Sequence, residues 1–125
     1  MRPSDINELI TAAEEANMRW KEAFNAGDAK RCAFLYEKSA TMRAEPFGIF
    51  KGRDAIQAFW QTLIDQGFSD VEYMEPKIEV QDASTAILTT DWTMNKAYGQ
   101  IHREVWALQE DGTAKFREDV FEAHE

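Results

Sequence analysis

The stretch QIHREVWALQEDGTAKFREDVFE (Gln100–Glu122) alternates along two runs about one turn signal, Asp111-Gly112. Runs from Gln100 to Glu110 and from Thr113 to Glu122 on either side of Asp-Gly predict a β-hairpin. A two- or four-residue loop sets Trp106 opposite Arg117, Glu104 opposite Asp119 and His102 opposite Phe121. Side chains alternate along a strand, so these six share one face. The other face then carries Ile101, Val105, Ala107, Phe116 and Val120, interrupted by Arg103 and Glu118. Two carboxylates directly across a strand pair repel, and His102 and Arg117 are placed to compensate them. The same pattern also fits a strand face open to water. A three- or five-residue loop would slide the pairing by one and separate the groups.

Upstream the period is helical. Ser4 is the expected N-cap of a long amphipathic helix reaching about Ala26, with Asp5 and Glu8 in its first turns and Ile6, Leu9, Ile10, Ala13, Trp20 and Phe24 on its apolar stripe. Gly27 ends it. Asp28 caps a shorter helix that turns Cys32, Leu35 and Tyr36 inward. Thr41 to Glu45 reads as a short strand, Glu45-Pro46-Phe47-Gly48 as a loop, and Gly52 precedes a third helix with Ile56, Phe59, Trp60, Leu63 and Ile64 on one stripe. After Gly67 the period changes to two. Val71 to Gln81 is a strand whose Pro76 implies an edge or a bulge, and Ala86 to Lys96 is the next. Three helices followed by antiparallel strands is an α+β pattern. It predicts helices packed on one face of a strongly curved, mostly antiparallel sheet, a cone with a central cavity, in a single domain over 1–125.

Composition narrows the function. The chain has 125 residues, 44% apolar and 12% aromatic, and 23 acids against 14 bases give a net charge of −9. That excess of acid argues against nucleic acid and against an anionic membrane surface. No run approaches the ~18 apolar residues of a membrane span, and the N-terminus does not read as a signal peptide, so the expected location is cytoplasmic. Cys32 has no partner for an internal disulfide and reads as a small core residue. Neither a His-x-x-x-His pair nor clustered cysteines is present, so no metal is expected. Gly48 to Gly52 lacks the residues of a phosphate loop.

Several strings in order resemble the nuclear-transport-factor-2-like superfamily. Arg19 to Asp28 (RWKEAFNAGD) is similar to its first helix and helix break. Leu35-Tyr36 with Ala40-Thr41 resembles its second helix running into the first strand, and Phe50 to Ile56 the start of its third helix. Val105-Trp106, Asp111-Gly112, Lys115-Phe116 and Asp119-Val120-Phe121 resemble its last two strands. The resemblance implies the cystatin-like cone fold, whose open end holds small molecules in ketosteroid isomerases, SnoaL-type polyketide cyclases, scytalone dehydratase and limonene epoxide hydrolase. It places Glu45-Pro46 where the isomerases carry a base beside a proline. Trp20 and Trp106 stand where they carry the tyrosine and protonated aspartate of an oxyanion hole. Asp119 matches the last-strand acid of the cyclases.

The resulting expectation is a cofactor-free isomerase, cyclase or dehydratase acting on a small apolar or aromatic ligand. Asp119 is the candidate base, with His102 and Glu104 assisting and Glu45 as the alternative base. Trp20, Phe24, Met42, Trp60, Trp92, Trp106, Arg117 and Phe121 are the candidate ligand contacts. The competing expectation is a non-catalytic ligand-binding or association module. Under both, a homodimer forms through the outer sheet face, with Ile101, Val105, Phe116 and Val120 at its centre.

Overall fold

The computed structural model describes residues 3–125, with side chains from residue 5 onward. Helix α1 spans Pro3–Asn25, α2 Ala29–Phe34 and α3 Arg53–Asp65. The strands are β1 Tyr36–Glu45, β2 Gly48–Lys51, β3 Glu72–Asp82, β4 Thr85–Thr93, β5 Tyr98–Leu108 and β6 Ala114–His124. Their order is β2-β1-β6-β5-β4-β3 in one sheet. The β1–β6 pair is parallel and every other pair antiparallel. This is the α+β cone predicted by the change of period.

The helices form where the apolar stripes lie. Leu9, Ala13, Ala16, Trp20, Ala23 and Phe24 on α1 are all buried. α1 begins at Pro3, a residue suited to the first helical position. It therefore starts ahead of the expected cap Ser4, whose side chain lies outside the described residues. At Gly27 the backbone turns to φ 76°, which only glycine adopts freely. Asp28 then caps α2 by accepting from the Arg31 N–H at 3.1 Å. α2 ends at Phe34, and Tyr36 opens β1, so the first strand is twice the expected length and Tyr36 reaches the core from a strand. The expected loop at 45–48 is a tight hairpin into β2, a strand the sequence reading missed.

β3 is the edge strand predicted from Pro76, and its pairing shifts between Met74 and Lys77. Glu75 takes φ 55° within that bulge. Across the core, Trp20, Phe24, Trp60, Phe116 and Phe121 join helices to sheet. Trp20 stacks on Phe24 at 5.4 Å and Trp60 on Phe121 at 5.7 Å. Among the described residues no helix is long and apolar enough to cross a membrane.

The terminal hairpin differs from expectation in register, and the difference builds the site. Its loop is the odd length that slides the pairing: Leu108 pairs with Ala114 and Trp106 with Phe116. A bulge in β6 at Arg117 then restores the expected register, so Val105 pairs with Glu118 and Glu104 with Asp119. A second bulge, in β5 at His102, returns Ile101 opposite Phe121. Each bulge inserts one unpaired residue and re-aims its neighbours. Without the first, the register leaving the turn would set Glu104 against Glu118 and send Asp119 to the outer face. With both, His102 and Arg117 face outward, and Ile101 and Phe116 are buried. The expected pairings Trp106–Arg117 and His102–Phe121 are thereby corrected. The outer face loses Ile101 and Phe116 from its apolar centre and carries the Arg103–Glu118 ion pair instead, at 3.3 Å.

Candidate active site

Two carboxylates face each other inside the cone. Glu104 is 1% exposed and Asp119 3%. An isolated carboxylate does not survive such burial in charged form without donors or a raised pKa. Both devices are present. Asp119 Oδ2 accepts from the Tyr36 hydroxyl at 2.6 Å. The Tyr36 oxygen in turn accepts from the Trp60 indole N–H at 3.3 Å. Glu104 Oε1 accepts from the Trp106 indole at 2.9 Å, and Oε2 accepts from the Tyr73 hydroxyl. Asp119 Oδ1 is buried with no hydrogen-bond partner among the described residues.

Burial raises the pKa of Asp119 from 3.8 to about 7, and the Tyr36 hydrogen bond pulls it back. Glu104 is held well above the usual carboxylate range, first by burial and second by the charge of Asp119. Tyr73, Trp106 and Lys21 oppose that rise. The two acids titrate as a pair. Tyr36 and Tyr73 are kept firmly protonated, each by burial first and then by the carboxylate it touches. They act as donors throughout the neutral range.

The pair opens on a small hollow of about 20 Å³, lined by Trp20, Trp60, Tyr73, Trp92, Glu104 and Asp119 among others. That is room for about one water-sized group. The indole N–H groups of Trp20 and Trp92 are buried and, like Asp119 Oδ1, lack partners among the described residues. Trp20, Trp92 and Asp119, which carry these two donors and one acceptor, all line the same hollow. Beyond it lies a wider apolar chamber of about 210 Å³ between Pro46, Phe47, Leu63, Phe68, Ala97 and Ala123. Trp60, Trp92, Met94 and Phe121 line both spaces and form the wall between them.

Of the residues expected at a site, the structure brings together Asp119, Glu104, Trp20, Trp60, Trp92, Trp106 and Phe121. Phe24 and Met42 are core residues behind that lining. Phe24 supports Trp20, and Met42 Sδ lies 3.8 Å from the Tyr36 hydroxyl. Three expected members are elsewhere. His102 is turned out by its bulge and bonds Glu122 at 2.7 Å. Arg117, exposed for the same reason, pairs with Glu37 at 2.9 Å. Glu45 ends β1 on the surface and pairs with Arg43 at 2.9 Å. It does not face the hollow, because the chain turns directly into β2.

Tyr36 and Tyr73 were missed. Tyr73 was legible only as one position of an alternating strand. That its hydroxyl meets Glu104 depends on β3 lying next to β4, which no local pattern states. Among the described residues, no three His, Cys, Asp or Glu side chains are grouped to hold a metal.

A family model described as a SnoaL-like domain matches residues 18–119. None of the curated proteins matches the chain. Among solved structures, a protein of Novosphingobium aromaticivorans assigned as a scytalone dehydratase superposes with a TM-score of 0.83 at 16% identity, over 99% of this chain and 89% of that one. A ketosteroid isomerase-like protein of Erwinia carotovora atroseptica gives a TM-score of 0.78 at 14% identity, over 94% and 97% of the two chains. Aln2 of a Streptomyces species gives 0.78 at 16%, over 97% and 91%. At such identities the likeness is one of fold.

Proposed function

The chain belongs to the SnoaL-like domain family, and on that footing we propose that it binds a small, largely apolar carbonyl compound and moves a proton on it without a cofactor. The observation that carries this reading is the free oxygen of Asp119. It belongs to a buried carboxyl, its pKa raised into the neutral range, that lines the small hollow behind the aromatic wall of the outer chamber. A base of that strength suits removal of a proton next to a carbonyl. The indole N–H of Trp20 or Trp92 supplies a donor for the oxygen on which charge develops. Glu104, its pKa raised by burial and by the charge of Asp119, disfavours a state in which both acids are ionised. The body of the ligand occupies the outer chamber. Its reacting end reaches Asp119 once Met94, an unbranched and adaptable side chain, gives way.

The family's fold is compatible with isomerisation, cyclisation and dehydration alike, since all three begin with such a transfer. The test is exchange of the α-protons of small aryl ketones in deuterated water, followed by NMR. Wild-type protein should accelerate exchange, and Asp119→Asn should lower the rate at least a hundredfold while ligand binding persists. Exchange that survives the substitution refutes the assignment of the base.

A second reading rests on the size of the inner hollow. At about 20 Å³ it is nearly filled by its own side chains, as in a module that holds a ligand in the outer chamber or pairs with a second copy and performs no chemistry. Ligand binding without any exchange above the uncatalysed rate would select it.

A further inference from the structure

On the helical side of the molecule, a groove of about 440 Å³ runs between α1, α2 and α3. Arg19, Lys30, Arg31 and Arg53 line it, with Phe34, Leu35 and Gln57, and among the described residues no carboxylate does. In a chain of net charge −9 such a concentration of cations is against the overall balance. Arginines on the sheet are neutralised: Arg43 by Glu45, Arg103 by Glu118 and Arg117 by Glu37. Those of the groove have no ion-pair partner among the described residues.

The groove is also organised. Arg53 is anchored, its Nε and Nη2 donating to the Tyr36 carbonyl at 3.1 and 2.6 Å. Phe34 is 60% exposed, the most of the large apolar side chains among the described residues. Its ring carries the Lys115 ammonium at 4.1 Å and the Arg53 guanidinium at 5.5 Å. Cations held on an aromatic ring are ordered without being discharged.

From this arrangement we infer that the groove is a binding site for a phosphate ester of an apolar or aromatic alcohol. A carboxylate monoanion is satisfied by one guanidinium. Three guanidinium groups and an ammonium about one concavity match the charge and the several acceptor oxygens of a phosphate dianion. Phe34 and Leu35 supply apolar contact for the carbon part. The volume is that of a small-ligand pocket. This site is separate from the acidic hollow and stands whether or not Asp119 is a base. The two share Tyr36, whose carbonyl holds Arg53 and whose hydroxyl holds Asp119.

The test is an NMR titration of the full chain at low salt with phenyl phosphate, inorganic phosphate and an oligoglutamate peptide. Phenyl phosphate is expected to bind saturably in the millimolar range or tighter, with shifts centred on Arg31, Phe34 and Arg53. Arg19→Gln combined with Arg31→Gln, both at exposed positions, should weaken it about tenfold or more. Arg43→Gln, on the sheet, should not. Raising the salt concentration should weaken binding as well. Absence of saturable shifts, or unchanged affinity in the double variant, overturns the site. Equal binding of inorganic phosphate overturns the apolar half of the ligand. Preference for oligoglutamate overturns the small-molecule assignment in favour of an acidic protein segment.

Discussion

Replacing Asp119 by Asn should flatten the dependence of stability on pH. In the unfolded chain this carboxyl titrates near 3.8, and in the folded protein near 7. Between those values the folded state holds a proton that the unfolded state has released. Stability must therefore fall as pH rises through the window, and the loss is complete above the folded value. Between roughly pH 5.5 and 8.5 the folded group goes from nearly all protonated to nearly all ionised, while the unfolded group stays ionised. At 1.36 kcal/mol for each pH unit of that span below the folded pKa, the loss is about 2 kcal/mol. Glu104, raised in the same direction, adds to it.

Asn at this position keeps an oxygen for the Tyr36 hydroxyl and cannot ionise. It also removes the second cause of the Glu104 rise, the neighbouring charge. Urea denaturation of both proteins at the two pH values gives the comparison, and the groups other than Asp119 and Glu104 titrate nearly alike in the pair. Wild type should lose about 2 kcal/mol or more that the variant keeps. Equal slopes, or a wild type that gains stability over this range, would refute the picture of a buried protonated pair.

Tyr36→Phe removes the one donor to Asp119 among the described residues. The Asp119 pKa should rise further, read by carboxyl carbon NMR, at a cost of about 1–2 kcal/mol in stability. Gly99→Ala should be severe, because an added Cβ would lie 2.0 Å from the Glu122 carbonyl oxygen and 2.9 Å from the Trp92 ring. Backbone cannot yield there as a side chain can, so a loss of about 3 kcal/mol or more is expected in thermal unfolding. Asp28→Ala deletes the cap of α2 and should cost about 1 kcal/mol by the same assay.

Much of this molecule is local in origin. The stripe from Leu9 to Phe24, the stop at Gly27 with its Asp28 cap, and the change from a period of 3.6 to 2 after Gly67 belong to single segments. Each reports which face of its own element is buried, and together they dictate an α+β cone. Glu104 and Asp119 were legible as facing acids for the same reason. Of the companions given to them by sequence, Trp106 and Phe121 stay on the inner face and His102 and Arg117 do not. Register and bulges are settled between strands, where backbone hydrogen bonds and the volumes of Trp106, Phe116 and Phe121 compete across β4, β5 and β6. That competition expelled His102 and Arg117 and drew in Ile101 and Phe116. The donors that make the acid pair tolerable, Tyr36 and Tyr73, come from strands far away in the chain. Only packing could bring them there, because a hydroxyl's partner is fixed by distance in space and leaves no period in the sequence.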